Sequence, residues 1–332
     1  MNTGTGCDAV GPDWRIMKYA IGVDMGGTAV KIGAFGPDGS MLDKTVIPTK
    51  PERGKDRVFD DIASAVRGLA EKNSLGLADC GIGIGFPGAV DRNGHANAAV
   101  DLKMFDICPG RELSSRLNGH PVAAEKDANA AAIGEMWQGG GKGFSNLILI
   151  TIGTGIGSGV IIDKKIVHGA HGLAGEIGHI QIDPDETEYC NCGGRGCLDQ
   201  IASATGIVRI AKRFLARNDS FSLLREMENF TAKDVADAAK RGDAPALESL
   251  TYCMDRMGKM IAAVGNVIDP EAVVIGGGVS KAGPFLVDLI FECYKKYPTL
   301  TTSYPVFRLA ELSEDAGMYG AAFLGSNGAF GA

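Results

Sequence analysis

One histidine and three cysteines fall in a short stretch: Gly175-Glu176-Ile177-Gly178-His179, then Cys190-Asn191-Cys192-Gly193-Gly194-Arg195-Gly196-Cys197-Leu198-Asp199. An imidazole and three thiolates complete a tetrahedral set for zinc and leave no position open for water. Such a closed site is structural: the metal shapes its loop and performs no chemistry. A disulfide is the competing reading. Cys190 and Cys192 are too close to bridge each other without strain, and a third cysteine would be left over. Glu176 and Asp199 bracket the cluster, and the tetrahedron needs neither. They are free to face a ligand, a first sign of a polar small-molecule pocket.

Three glycine turns each follow an apolar run: Gly26-Gly27-Thr28, Gly153-Thr154-Gly155 and Gly276-Gly277-Gly278. Turns of this kind offer backbone N–H donors without side-chain obstruction, which suits phosphate. No Walker sequence is present, since no Ser or Thr follows Lys142. Gly83-x-Gly85-x-x-Gly88 matches the dinucleotide fingerprint literally. The match fails in context, because Asp91-Arg92-Asn93-Gly94 is a turn where the fingerprint needs a helix N-terminus. Asp127 ends an apolar run and opens an alanine-rich stretch. Locally it reads first as a helix N-cap; a carboxylate aimed at a ligand is the alternative.

Composition narrows the partners. The 332 residues carry a net charge of −7 with no basic stripe, which argues against nucleic-acid binding. An anionic ligand must then be held by backbone N–H groups or a metal. Five of the eight cysteines lie outside the cluster with no framework spacing, as expected in a reducing cytoplasm. Residues 1–15 lack the features of a signal peptide. The longest apolar run, 147–162, is interrupted by glycines and makes a poor membrane span.

The elements that must position these groups follow from periodicity. Residues 19–23, 29–35 and 41–47 read as strands, the first pair joined by the first glycine turn. Residues 58–72 have helical spacing, 82–86 read as a buried strand, and 121–124 lead into a helix from Asp127 to about Trp137. Residues 146–151 and 158–162 repeat strand, glycine turn, strand, so two halves share one plan. Helices dominate 201–269, the clearest at 254–268. A strand at 272–275, a helix at 284–294 and a small-residue helix at 315–324 close the chain. A nucleotide held between hairpin turns points to the actin-like ATPase (ribonuclease H-like) fold, an α/β architecture of two domains facing across a cleft. The expected limits are a tail at 1–17, a small domain at 18–128 plus about 314–328, and a large domain at 129–313 with the metal loop at 176–199.

These motifs together resemble the ROK family of sugar kinases. The matching residues are Asp24-Met25-Gly26-Gly27-Thr28, Glu125-Lys126-Asp127-Ala128-Asn129, Gly153-Thr154-Gly155, Gly175-Glu176-Ile177-Gly178-His179, the three cysteines, Gly276-Gly277-Gly278-Val279 and Asp315-Ala316-Gly317. Val167-His168-Gly169 and residues 201–212 carry a closer likeness to the glucokinases within it. The resemblance implies ATP-dependent phosphorylation of a hexose, foremost glucose, at its 6-hydroxyl, or of an N-acetylhexosamine. It implies Asp127 as general base, with Gly88, Lys126, Glu176, His179 and Asp199 lining the sugar pocket. It also implies Asp24 near the Mg2+ that accompanies ATP, the three glycine turns around ATP, a structural zinc, and a homodimer. The family includes sugar-responsive repressors, but the 23 residues before Asp24 are too few for a helix-turn-helix domain.

The chain departs from the family's usual residues at three positions. Lys126 replaces an asparagine, Asp199 a glutamate, and Asp101-Leu102 an Asn-Leu pair. All three concern the sugar side, and none is expected to touch the phosphate turns.

Overall fold

The computed structural model describes residues 17–217, 219–300 and 303–326, so all but the last residue of the expected tail at 1–17 lies outside the described residues. The chain runs β1 (Tyr19–Met25), β2 (Ala29–Phe35), β3 (Met41–Pro48), α1 (Lys55–Lys72), β4 (Cys80–Phe86), β5 (Ala96–Ala99), β6 (Met104–Ile107), α2 (Pro109–Arg116), β7 (Val122–Lys126) and α3 (Asp127–Gln138). It continues through β8 (Leu147–Ile152), β9 (Ile156–Ile162), β10 (Lys165–Ile166), α4 (Leu198–Ala202), α5 (Ala204–Arg217), α6 (Ala232–Lys240), α7 (Ala244–Ile268), β11 (Ala272–Gly276), α8 (Pro284–Tyr294), β12 (Val306–Leu309) and α9 (Ala316–Gly325).

Two compact units result. Of the described residues, the first unit holds those up to Gly143, Gly159–Gly175 and those from Glu314 on; the second holds Phe144–Ser158 and Glu176–Ser313. These limits differ from the expected ones in placing α3 and Gly159–Gly175 with the first unit. The reason is close packing: a Cβ on Gly159 would stand 2.6 Å from Cβ of Ala132 on α3.

The two large sheets follow one plan. Their strand orders are β3-β2-β1-β4-β7 and β10-β9-β8-β11-β12. In the first, β1 pairs antiparallel with β2 and parallel with β4, and β4 pairs parallel with β7. In the second, β10 pairs antiparallel with β9, and β11 lies parallel to both β8 and β12. The faint internal repeat in the sequence is thus a repeat of topology.

In the first unit Ile21, Val23, Val30 and Ile32 pack against Phe59, Ile62 and Val66 of α1. Truncating one of these, such as Ile62→Ala, would cost about 2–5 kcal/mol through lost transfer energy and a cavity. On the other side, α9 approaches the sheet backbone closely. A Cβ on Gly22 would overlap Met318 O, and one on Gly320 would overlap Ala130 O on α3. The small-residue face expected of the last helix is what permits this contact.

Three departures have local causes. Helix α7 starts earlier than its apolar pattern indicates, because Asp243 caps it by accepting from Ala246 N at 3.0 Å and Pro245 fits the first turn. The β5–β6 hairpin and β12 were not expected, since they are short and only partly buried. Among the described residues no helix is long and apolar enough to cross a membrane.

Candidate active site and metal centre

In the first unit the site forms at the ends of β1, β4 and β7. Asp127 opens α3 but does not cap it: Lys126 holds the N-cap position. The Asp127 Oδ1 accepts from the backbone N–H of Ala128 at 2.7 Å. Gly85 keeps the neighbouring strand end bare, and its missing Cβ would sit 3.7 Å from Cα of Asp127. Lys126 is only 6% exposed, so its side chain does not extend into solvent. Gly88 has φ of +113°, and a Cβ there would lie within 2.4 Å of Ala98 O on β5. Its backbone therefore requires glycine.

Asp24, next to last in β1, is half-buried. Loss of water contact raises its pKa from 3.8 to about 6; Lys31 opposes the shift, and the charges of Asp127 and Asp315 add to it. The first glycine turn is tied down beside it, with Thr49 Oγ1 donating to Gly26 O at 2.6 Å and Thr49 N donating to Thr28 O at 3.0 Å.

Glu125 was not singled out in the sequence for any role. It is buried, and it organises the β7–α3 junction. One carboxylate oxygen accepts from Lys126 N at 2.8 Å and from Asn129 Nδ2 at 2.9 Å. The other lies 2.6 Å from Nε2 of His168. That hydrogen bond and ion pair hold the His168 pKa above its usual value against partial burial. A charged residue closing an otherwise apolar strand was the available signal, but its partner lies 43 positions away.

In the second unit the metal loop closes as expected. Among the described residues His179, Cys190, Cys192 and Cys197 bring their ligand atoms within 4.8 Å of one another. Cys190 Sγ lies 3.7 Å from His179 Nδ1, and Cys192 Sγ lies 3.5 Å from Cys197 Sγ. Tetrahedral zinc with thiolate bonds of about 2.3 Å has edges of about 3.8 Å, so the donor set fits the ion. Backbone bonds from Ile182 and Asp183 to Gly196 O, and from Leu198 N to Ile180 O, draw the two arms of the loop together. Glu186, inside the loop, is clamped by Arg209 and Arg213 of α5 at 2.7 and 2.9 Å. Chiefly the Arg213 hydrogen bond holds its pKa down at about 2.

The second and third glycine turns lie together in this unit. Gly277 has φ of +83°, and a Cβ on it would stand 2.6 Å from the N and O of Ile152. Asp199 Oδ1 accepts from Ile156 N at 2.6 Å, and a Cβ on Gly155 would meet that oxygen at 2.9 Å. Asp101 likewise comes to the first turn, 4.0 Å from where a Cβ on Gly27 would stand. Two of the three departures from family usage therefore abut glycine turns, contrary to expectation. Glu176 is half-buried and His179 exposed.

Residues 20–327 match the ROK family. The chain belongs to the ROK family. It is 38% identical to a glucokinase of Halalkalibacterium halodurans over 92% of this chain and 94% of that protein. It is 35% identical to a glucokinase of Thermotoga maritima over 91% of this chain and 95% of that one. Among solved structures, a ROK family glucokinase from Streptomyces griseus, in complex with glucose and AMPPNP, superposes with a TM-score of 0.74 at 33% identity, covering 92% of this chain and 98% of that one. The ROK fold seen here is the two-domain α/β fold of the actin-like ATPases.

Proposed function

We infer that this protein is a sugar kinase that transfers the γ-phosphoryl group of ATP to the 6-hydroxyl of glucose. The observation that carries the reading is the match to glucokinases across at least nine-tenths of both chains. In the step, glucose O6 bonds to the γ-phosphorus, the bond to the bridging oxygen breaks, and ADP leaves. The hydroxyl proton passes to the Asp127 carboxylate. A loose transition state asks the enzyme mainly to position and neutralise, so an ordinary carboxylate suffices as base. Asp24 would help hold the Mg2+ that accompanies ATP, and the turns at Gly26-Gly27-Thr28, Gly153-Thr154-Gly155 and Gly276-Gly277-Gly278 would hold the nucleotide. Gly88, Lys126, Glu176, His179 and Asp199 contact the sugar. Zinc on His179, Cys190, Cys192 and Cys197 would supply rigidity, fixing the histidine ring.

The buried lysine at 126 favours one second reading, an N-acetylhexosamine kinase. An amide that donates and accepts is replaced there by a group that only donates. A coupled assay of hexoses and N-acetylhexosamines with ATP separates the two. Glucose should give the highest kcat/KM; a preference for an N-acetylated sugar would overturn the first reading. We also propose a cytoplasmic homodimer, to be checked by light scattering on the eluted protein and by fractionation of the source cells.

A further inference from the structure

Glu125 and His168 tie the strand end that leads into Asp127 to the loop that follows β10. Glu125 stands two residues before Asp127 and is 2% exposed. Its first oxygen accepts from Lys126 N at 2.8 Å and from Asn129 Nδ2 at 2.9 Å. The carboxylate therefore clamps the end of β7 and the first turn of α3, and Asp127 lies between the two anchors. The second oxygen lies 2.6 Å from Nε2 of His168. In the protonated imidazole both nitrogens carry hydrogen, so Nε2 donates.

His168 opens a loop that is itself held in place. Val167 N donates to Val160 O of β9 at 2.9 Å, and His168 O accepts from Ala174 N at 3.2 Å. A Cβ on Gly172 would overlap Val90 O, which seats the loop against the connection between β4 and β5. That connection also supplies the other charges facing His168: Arg92 opposes its protonation and Asp91 favours it, both after the Glu125 bond in effect.

Of the three donors to Glu125, His168 alone titrates near neutral pH. A buried carboxylate that loses its charged partner must take up a proton, draw in water or turn. Each of these moves the clamp on residues 126–129, and Asp127 with it.

We propose that Glu125 and His168 are positioning residues for the base: protonated His168 holds the Glu125 clamp, and the clamp sets the aim of the Asp127 carboxylate at the hexose hydroxyl. Both act through Asp127. The proposal rests on the reading that Asp127 is the base of a glucose kinase.

The test is initial-rate kinetics between about pH 6 and 9, with glucose and MgATP each varied, on wild type, His168→Ala, His168→Gln and Asp127→Asn. Wild-type kcat should fall on the alkaline side, with its midpoint above the ordinary histidine value. His168→Ala should lower kcat about ten- to a hundredfold at the acid end and leave KM for MgATP within about twofold. His168→Gln keeps a neutral donor for Glu125. It should recover most of the lost rate and show no alkaline fall. A histidine that served only the fold would lower the unfolding temperature and leave the shape of the pH profile unchanged.

A kcat in His168→Ala within about twofold of wild type would overturn the proposal, as would an alkaline fall that survives in His168→Gln. A loss of kcat matched by an equal rise in KM for MgATP would mark general distortion and overturn it too. In each case wild-type phosphorylation of glucose leaves the functional reading standing. No phosphorylation by wild type, or a normal rate in Asp127→Asn, would overturn that reading and the proposal with it. Should His168→Ala not fold, the pH profile of His168→Gln decides alone, since that side chain is partly exposed and the variant keeps the hydrogen bond.

Discussion

A methyl group at position 317 would stand 2.6 Å from Cγ of Asp24 and 2.7 Å from its Oδ1. Gly317 and the Asp24 carboxylate thus occupy one space, which explains why the Asp315-Ala316-Gly317 motif sits at the start of α9. Gly317→Ala should force the carboxylate aside. The expected result is a KM for MgATP raised about tenfold or more with KM for glucose nearly unchanged, read from initial rates with each substrate varied in turn. An unaltered KM for MgATP would mean that Asp24 does not serve the metal–nucleotide.

Asp24 also gives the fold a pH signature. Burial lifts its pKa from 3.8 to about 6, so the folded chain favours the protonated acid. Stability from this group is present below about pH 4 and is lost as pH rises through 6. A shift of this size corresponds to at most about 3 kcal/mol, reduced to about 1–2 for a half-buried group. Asp24→Asn should therefore unfold at a higher temperature than wild type at pH 8 and at the same temperature near pH 4, while losing activity. Equal shifts at both pH values would remove the titration from the account.

The Glu125–His168 pair runs the other way. A histidine with a raised pKa stabilises the fold below its unfolded value and loses that contribution as pH climbs through the folded one. Glu125→Gln should cost about 2 kcal/mol at pH 6, less than a fully buried pair because His168 is partly exposed, and distinctly less at pH 9. Denaturant melts at the two pH values check it. The variant should also lower kcat, since Glu125 holds the backbone of Lys126 next to Asp127.

The metal loop predicts about one zinc per chain in protein purified without added metal. Cys192→Ser should lose the metal and lower the unfolding temperature, because the binding energy of a structural zinc is folding energy. Elemental analysis and thermal melts decide the matter. A variant as stable as wild type, or a wild type free of zinc and fully stable, would rule out the structural role.

Strands, glycine turns and the His/Cys cluster were legible because each is local. Apolar periods of two mark β1, β2 and β4, and ligand type and number mark His179 with its three cysteines. What stayed hidden was long-range. Nothing in the sequence pairs Glu125 with His168, nor tells that Asp199 turns back to Ile156. Asp127 shows the intermediate case: its type and position suggest a cap, while the structure gives that position to Lys126 and leaves Asp127 as the first helical residue.

The central claim is phosphoryl transfer to glucose O6 with Asp127 as base. The most direct measurement is phosphorus and carbon NMR of glucose incubated with MgATP and purified protein, followed over time for wild type and Asp127→Asn. The account predicts glucose 6-phosphate and ADP in equal amounts from wild type, and a rate at least about a hundredfold lower from the variant with glucose binding retained. No phosphorylated glucose from wild type, or a variant that turns over at close to the wild-type rate, would contradict it.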